Sequence, residues 1–520
     1  VTATAAPGVD EGGASARVDL RLVLPAAVCW IVAALTVGLP TPAAAEVLPV
    51  AAGAAFTIAA AVVSVLGATH NDRSHLRSVA STVAVVAAAG ALVCVSVAAH
   101  LPTRFPADVS RLVGHSVSVT VTVDSVPVQA ESQGFTGVEQ SSRFSATATL
   151  LKTATQRIEL QMPVLVFLRS ASAPPVSIGT QLGLTGKLQE TGPGESVAAL
   201  FFAEGVPTML VQPPWYLDWA NRLRDSFRRS AAVLPGAGAQ LVPGLAIGDV
   251  SLVSDELNSS MITSGLSHLT AVSGANCAIV VAAIMLLGGA IRLSRRWRIV
   301  LCLIVMAAFV VLVTPSPSVL RAAVMATIVL LTLASGRTPR ALPALALACI
   351  VMLVADPWLS RSYGLALSVL ATGGLLLLTR PLHTLLSRWF PSGISLIIAV
   401  PLAAQLACQP VLVLLSPSIS TYSVVANLLA EPAAPVATVV GLISCVAGAV
   451  VPSLASAGAW LTWVPASWIA GVATFFADLP GATLPWPGGA PGSALVILVT
   501  AAALIALFLR DPQREADENS

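Results

Sequence analysis

The chain alternates long apolar runs with short polar breaks over most of its length, and one segment departs from that rhythm. Apolar runs fall at 22–39, 47–68, 79–99, 269–290, 299–314, 319–335, 341–355, 363–379, 394–415, 424–450, 455–476 and 492–509. Several approach or exceed the ~20 residues that a helix needs to cross a bilayer. A backbone in lipid must bond to itself, so such runs fold as helices. The pattern predicts a polytopic α-helical membrane protein of about 12 spans.

The departing segment is 100–212. Within it Val117, Val119, Val121 and Val123 alternate with Ser and Thr, the period-2 pattern of a half-buried strand. Strand-like runs follow at 143–151, 157–168, 181–189 and 198–211, broken by Pro174-Pro175 and Gly192-Pro193-Gly194. Some five strands in about a hundred residues predict a small inserted β-barrel domain of OB-like type. Behind it Trp215, Trp219, Leu223, Phe227 and Ala231 recur every fourth residue, while Arg222, Arg224, Arg228 and Arg229 sit mostly off that stripe. This predicts an amphipathic helix over 213–234 lying in the membrane interface, its arginines facing the phosphates of lipid or of nucleic acid, with lipid the favoured partner. The chain then divides into a three-span segment (1–99), the β domain (100–212), the interfacial helix (213–234), a second helical membrane domain (235–510) and a tail (511–520).

Composition agrees with a membrane chain: 56% of residues are hydrophobic and only 10% charged, against roughly a quarter charged in soluble domains. A net charge of +2 gives no bulk electrostatic case for nucleic acid. The β domain holds seven basic and eight acidic residues, so no single-strand groove is legible there, and a scaffold or cap is an equal reading. Charge placement orients the spans. Arg17, Arg21, Arg73, Arg77, Arg292, Arg295, Arg296, Arg298, Arg337, Arg340, Arg380, Arg388, Arg510 and Arg514 fall on one side, and the short opposite loops hold only Arg361. The positive-inside rule places both termini in the cytoplasm and the β domain outside. Arg17 and Arg21 before an apolar run, with Ala43-Ala44-Ala45-Glu46 beyond it, also fit a cleavable signal peptide; an uncleaved anchor is preferred for a multi-span chain. All seven cysteines lie in apolar runs and read as small buried hydrophobes rather than a disulfide framework.

Polar groups inside spans cost at least ~2.5–3.5 kcal/mol each, so each is a candidate site. The run Gly265–Asn276 is polar and small, containing His268, Ser273 and Asn276. It reads either as cavity-lining irregular backbone or as close helix packing, with packing favoured. In Pro315-Ser316-Pro317-Ser318-Val319-Leu320-Arg321 the arginine lies about one turn into a span. It either snorkels or points inward as a fixed positive charge, and the inward reading is preferred. Asp356 before Pro357-Trp358 reads best as a helix cap. Gln405, Gln409-Pro410, Asn427 and Glu431-Pro432 form the last cluster. Glu431 between helix-breaking residues marks a discontinuous helix, a common transport site, where it would pair with Arg321 or carry protons. No catalytic histidine group, HExxH motif or nucleotide-binding GxxxxGK[ST] run occurs, so neither an enzyme nor a cofactor is implied. A membrane hydrolase using His268 and Ser273 would lack an orienting acid at known spacing.

Taken in order, Gly244-Leu245-Ala246-Ile247-Gly248-Asp249, Gly265–Gly274, Pro317–Ala322, Asp356-Pro357-Trp358-Leu359 with Gly364–Ser368, Gln405 with Pro410, and Asn427-Leu428-Leu429 before Pro432 resemble the ComEC-type competence family. The resemblance implies a DNA-uptake channel of the bacterial cytoplasmic membrane with an extracellular OB-like domain, passing single-stranded DNA during natural transformation. It also implies a DNA-receptor protein outside, a helicase or translocase within, and a separate nuclease, because the family's C-terminal metallo-β-lactamase-like domain is not among these residues. A homodimer is left open. Where relatives commonly carry a histidine after the Ser-Gly pair, this chain has Ala275-Asn276. The implied pathway residues are His268, Ser273, Asn276, Ser318, Arg321, Gln405, Asn427 and Glu431, with Trp215, Trp219, Arg222 and Arg228 on the interfacial helix. The competing reading is a secondary transporter of a small solute or lipid precursor, which the broken helix at Glu431 suits equally.

Overall fold

A computed structural model describes residues 21–68, 74–106, 109, 112, 114–134, 137–152, 157–169, 176–270, 274–313, 317–337 and 340–509. The chain opens with three apolar helices, α1 (Val23–Thr36), α2 (Thr41–Ala68) and α3 (Ser74–Arg104). Cys29, Ala33, Leu48, Val93 and Val97 from these helices bury against Met352, Leu353 and Trp358 far along the chain. The N-terminal segment is therefore packed onto the later helices and does not stand apart.

The β domain comprises β1 (Ser116–Val123), β2 (Val128–Gly134), β3 (Gly137–Lys152), β4 (Arg157–Arg169), β5 (Gln181–Glu190) and β6 (Ala199–Val211). Val117, Val119, Val121 and Val123 are buried, as their alternation predicts, beside Phe144, Val164, Val166, Leu182, Leu184 and Phe201. The order is β1-β5-β6-β4-β3-β2, and β1 also pairs with β3. The pairings of β1, β5, β6, β4 and β3 thus return on themselves, with β2 a hairpin arm of β3. Within this circuit β4 and β6 are parallel and the other pairs antiparallel. At Gly186 a Cβ would lie 2.1 Å from the Phe202 carbonyl oxygen, so only glycine lets β5 and β6 approach here.

β6 leads into α4 (Trp215–Ala232), whose apolar stripe turns toward protein rather than lipid. Leu223, Phe227 and Ala231 are buried in the largest core, Trp219 packs against it, and Trp215 alone of the stripe is largely exposed. The expectation of a helix lying on the membrane by its stripe is corrected to that extent: the stripe is spent on the next helix, α5 (Gly236–Ile247), and its neighbours. α5 is apolar but only about 18 Å long, too short to span. It is buried almost throughout, and a Cβ on Gly238 would lie 2.0 Å from Ser467 Oγ. It ends at Gly248, whose φ of +76° is the left-handed conformation that stops helices.

The remainder is α6 (Asp255–Thr263), α7 (Gly274–Ala290), α8 (Arg295–Leu312), α9 (Pro317–Ala334), α10 (Ala341–Ala355), a 3₁₀ turn (Pro357–Arg361), α11 (Tyr363–Leu386), α12 (Ser392–Leu415), β7 (Ser418–Ser420), α13 (Ser423–Ala430), α14 (Ala433–Ala447), α15 (Pro452–Ala477), β8 (Thr483–Pro485) and α16 (Gly489–Leu509). Six helices among the described residues are long and apolar enough to cross a membrane: α2, α3, α9, α11, α12 and α15. α13 and α14, bent by 44° at Glu431-Pro432, would form a seventh span if taken as one. The runs expected at 22–39, 269–290, 341–355 and 492–509 correspond to the shorter apolar helices Val23–Thr36, Asn276–Ala290, Ala341–Ala355 and Gly489–Ala503. This is a multi-pass membrane chain with a small sheet domain.

Candidate pathway through the helical bundle

Several of the polar residues singled out along the chain, though not Gln405, gather around the segment that leads into α7. Gly265 has φ +78°, and a Cβ there would lie 2.5 Å from Ser423 Cβ at the start of α13. Three residues on, His268 Nε2 stands 3.9 Å from Glu431 Oε1 at the helix break. Gly274, first residue of α7, sits against Arg321: a Cβ would be 3.1 Å from Nη2. One short segment therefore touches the broken helix at two points and α9 at a third. Ser273, within it, lies outside the described residues.

Arg321 is buried on α9, at 5% exposure. Its Nε donates to Ser368 Oγ on α11 at 2.9 Å, Nη1 approaches Met325 Sδ at 3.9 Å, and Ser318 Oγ lies 3.2 Å from Ser368 Oγ. Among the described residues its cation forms no ion pair. Of the two alternatives for Glu431, pairing with Arg321 is not made among the described residues; its ion-pair contact is His268. A guanidinium held by hydroxyls keeps its charge uncancelled, and such a group attracts an anion.

The break at Glu431 has a local cause. Pro432 and Pro435 lack the N–H groups that would continue the helix. Glu431 N closes on Asn427 O at 2.8 Å, and Trp468 Nε1 donates to the freed Leu429 carbonyl at 2.9 Å. Asn427 is buried; its Nδ2 donates to Ser423 O at 2.7 Å, and its Oδ1 is buried without a protein partner. On α12, Gln405 Nε2 donates to Gln409 Oε1, so this pair is satisfied within its own helix. Asn276 is buried one turn into α7. Asp356 takes the cap role expected of it, accepting from Trp358 N at 3.1 Å.

Two sets of contacts that the sequence pattern does not show hold this assembly together. The first surrounds the 3₁₀ turn. Trp358 Nε1 donates to Pro193 O in the β domain at 3.0 Å, and Arg104 stacks on its ring with Cζ 4.2 Å from the centroid. Arg104 Nη2 also donates to Glu195 O at 2.9 Å, and Arg361 caps α1 by donating to Ala34 O at 3.0 Å. The second lies on α4. Arg222 and Arg228 pair with Asp218 and Asp225, and Arg228 Nη1 lies 3.9 Å from buried Asp249. Arg224, expected off the buried face, is itself buried and donates to the last carbonyls of α8. Burial lowers its pKa, opposed by the nearby Asp249 carboxylate.

A family profile described as Competence protein matches residues 245–513, the stretch that contains every candidate pathway residue named above. ComE operon protein 3 of Bacillus subtilis (strain 168) is 28% identical over 278 residues, which is 53% of this chain and 35% of that protein. The chain thus spans about a third of that relative's length. No solved structure matches. With more than half its length accounted for by that profile, and the profile covering the helices that carry the buried arginine and the broken span, the chain belongs to the Competence protein family.

Proposed function

We propose that this chain takes part in DNA uptake during competence by conducting single-stranded DNA across the bacterial cytoplasmic membrane. The observation that carries the reading is the convergence of Arg321–Ser318–Ser368, His268–Glu431 and Ser423–Asn427 on the 265–274 segment, inside an otherwise apolar bundle. Arg321 would screen successive phosphates. Amide and hydroxyl groups, including the unpartnered Asn427 oxygen, would contact sugar and base edges without reading sequence.

In this reading the β domain faces outward and both termini inward, following the arginine bias of the loops. The five-strand circuit with its parallel β4–β6 pair supports an OB-like barrel. The shorter apolar helices, with α8, would complete about 12 spans by meeting locally thinned bilayer. A receptor outside, a helicase or translocase within, a separate nuclease and a homodimeric assembly belong to the same proposal, and exposed Trp215 would meet lipid.

The test is internalisation of labelled DNA in a deletion strain complemented with wild type or Arg321→Ala. Loss of internalisation in both the deletion and the Arg321→Ala strain, with surface binding intact and protein at normal level, is the expected result. Normal internalisation by the deletion strain overturns the proposal. The titratable His268–Glu431 pair at a broken helix favours one second reading, secondary transport of a small solute. Solute-driven proton flux in proteoliposomes, unaffected by single-stranded DNA, would select that reading.

A further inference from the structure

Asn221 and Arg224 lie almost wholly buried on the inward side of α4, at 7% and 4% exposure, away from the candidate pathway. Asn221 Nδ2 donates to the Ile178 carbonyl, just ahead of β5 in the β domain, at 2.9 Å. Asn221 Oδ1 accepts from Arg224 Nη1 at 2.6 Å. Arg224 Nε and Nη2 then donate to Leu312 O and Val311 O at 2.8 and 2.6 Å. One amide and one guanidinium therefore form an unbroken hydrogen-bonded line from the β domain to the last turn of α8.

That last turn is where a connection of this kind has leverage. The final carbonyls of a helix have no intrahelical donors, and a cation is favoured at the negative end of the helix dipole. Val313 N takes Phe309 O at 2.8 Å, and Arg224 takes the two carbonyls at the very end. A lysine could not do the same, because a single ammonium cannot present the guanidinium's planar fork to three acceptors. Beyond the helix end the connection continues through packing. Phe309 and Val313 are buried in the same cluster as Val319 and Ala322, which flank Arg321 on α9, and Cys277 on α7 belongs to it as well.

We propose that Asn221 and Arg224 are positioning residues that tie the seating of the β domain to the setting of Arg321. The consequence for transport rests on the pathway reading above; the coupling itself does not. Both residues act through α8 and neither touches the transported strand. Spatial continuity alone is not coupling, so the test measures coupling directly.

Amide hydrogen exchange is followed on the full chain in lipid nanodiscs for wild type, Asn221→Asp, Arg224→Lys and Arg224→Ala. Asn221→Asp keeps the acceptor for Arg224, now as a carboxylate, and replaces the donor to Ile178 with an oxygen that the carbonyl repels, so it breaks the line at the β domain while holding Arg224. The expected result is exchange over 309–313 and 318–325 faster by about tenfold in Asn221→Asp, the size of one lost hydrogen bond, with α15 unchanged. Arg224→Lys should show a similar rise and Arg224→Ala a larger one. If Asn221→Asp leaves 309–325 at the wild-type rate, or if α15 rises equally, the coupling is overturned and the residues merely hold the fold. DNA internalisation measured in the same variants separates the two claims. Faster exchange near Arg321 with uptake unchanged leaves the coupling standing and counts against Arg321 as a pathway residue.

Discussion

What a buried or helix-end arginine does in this chain is decided by its surroundings. Arg224, Arg361 and Arg295 each donate to carbonyls at the end of a helix other than their own, those of α8, α1 and α9. Arg321 contacts hydroxyl and sulfur instead, and caps nothing. The sequence marked Arg321 because a charge in an apolar run is costly, but Ser368, its partner 47 positions away, was legible only as a small polar residue. His268 and Glu431 should separate stability from function. Their pair is 3.9 Å long with side chains 52% and 38% exposed, and such pairs contribute roughly 0–1 kcal/mol. His268→Gln and Glu431→Gln are therefore expected to melt like wild type while internalising less DNA; equal loss of both would assign the pair to the fold. Gly265→Ala should behave in the opposite way. It adds strain of roughly 1–3 kcal/mol from its left-handed backbone and drives a Cβ to 2.5 Å from Ser423. Gly336→Ala shares a positive φ but meets open space, so thermal unfolding should show the smaller loss there.

At the scale of elements, the broken helix and the 3₁₀ turn show why local signals went only part of the way. Pro432 and Pro435 made the break at Glu431 readable, since a missing N–H is a property of the residue itself. The donor that satisfies the freed Leu429 carbonyl is Trp468, on another helix, and no local pattern announces it. Asp356-Pro357-Trp358 was read correctly as a cap, yet the turn also docks the β domain through Trp358, which is 3% exposed. Trp358→Ala is expected to cost about 3–5 kcal/mol, whereas Trp358→Phe should cost about 1 kcal/mol for the lost hydrogen bond. Protease resistance of β5 and β6 reads the difference, and equal nicking of both variants would remove Trp358 from the docking. The spacing along α4 carries a usable sign of its own. A stripe recurring every fourth residue drifts about 40° per step, toward the side that holds Ala220 and Arg224. Its arginines were assigned to phosphates by type, when drift already pointed Arg224 inward.

At the scale of the molecule, the two docking sets hold the β domain at separate places, Pro193–Ser196 on the 3₁₀ turn and α3, and Ile178 on α4. A domain held at two places is seated by its partners and not by its linkers alone. The proposed topology can be checked by labelling. Lys187→Cys should react with an impermeant maleimide in intact spheroplasts, and Arg296→Cys only after permeabilisation. Labelling of both from one side would reject the inside-outside assignment. Six helices among the described residues are long enough to span and a seventh would be bent, so the same scan extended over the short apolar helices decides how many of them cross.

Apolar run length was enough, by itself, to determine a multi-pass membrane chain, because lipid leaves a buried backbone few choices. Alternating valines determined an inserted sheet domain with its inner face, because side chains on a strand point alternately to its two faces. The order of motifs placed the chain in its family. Only the tertiary structure decided which polar groups meet: Arg321 with Ser368, Glu431 with His268, Arg224 with the end of α8. A charge in an apolar run shows in sequence that a partner is needed. Which partner it finds depends on how helices distant in sequence cross, and that is settled by packing across the whole bundle.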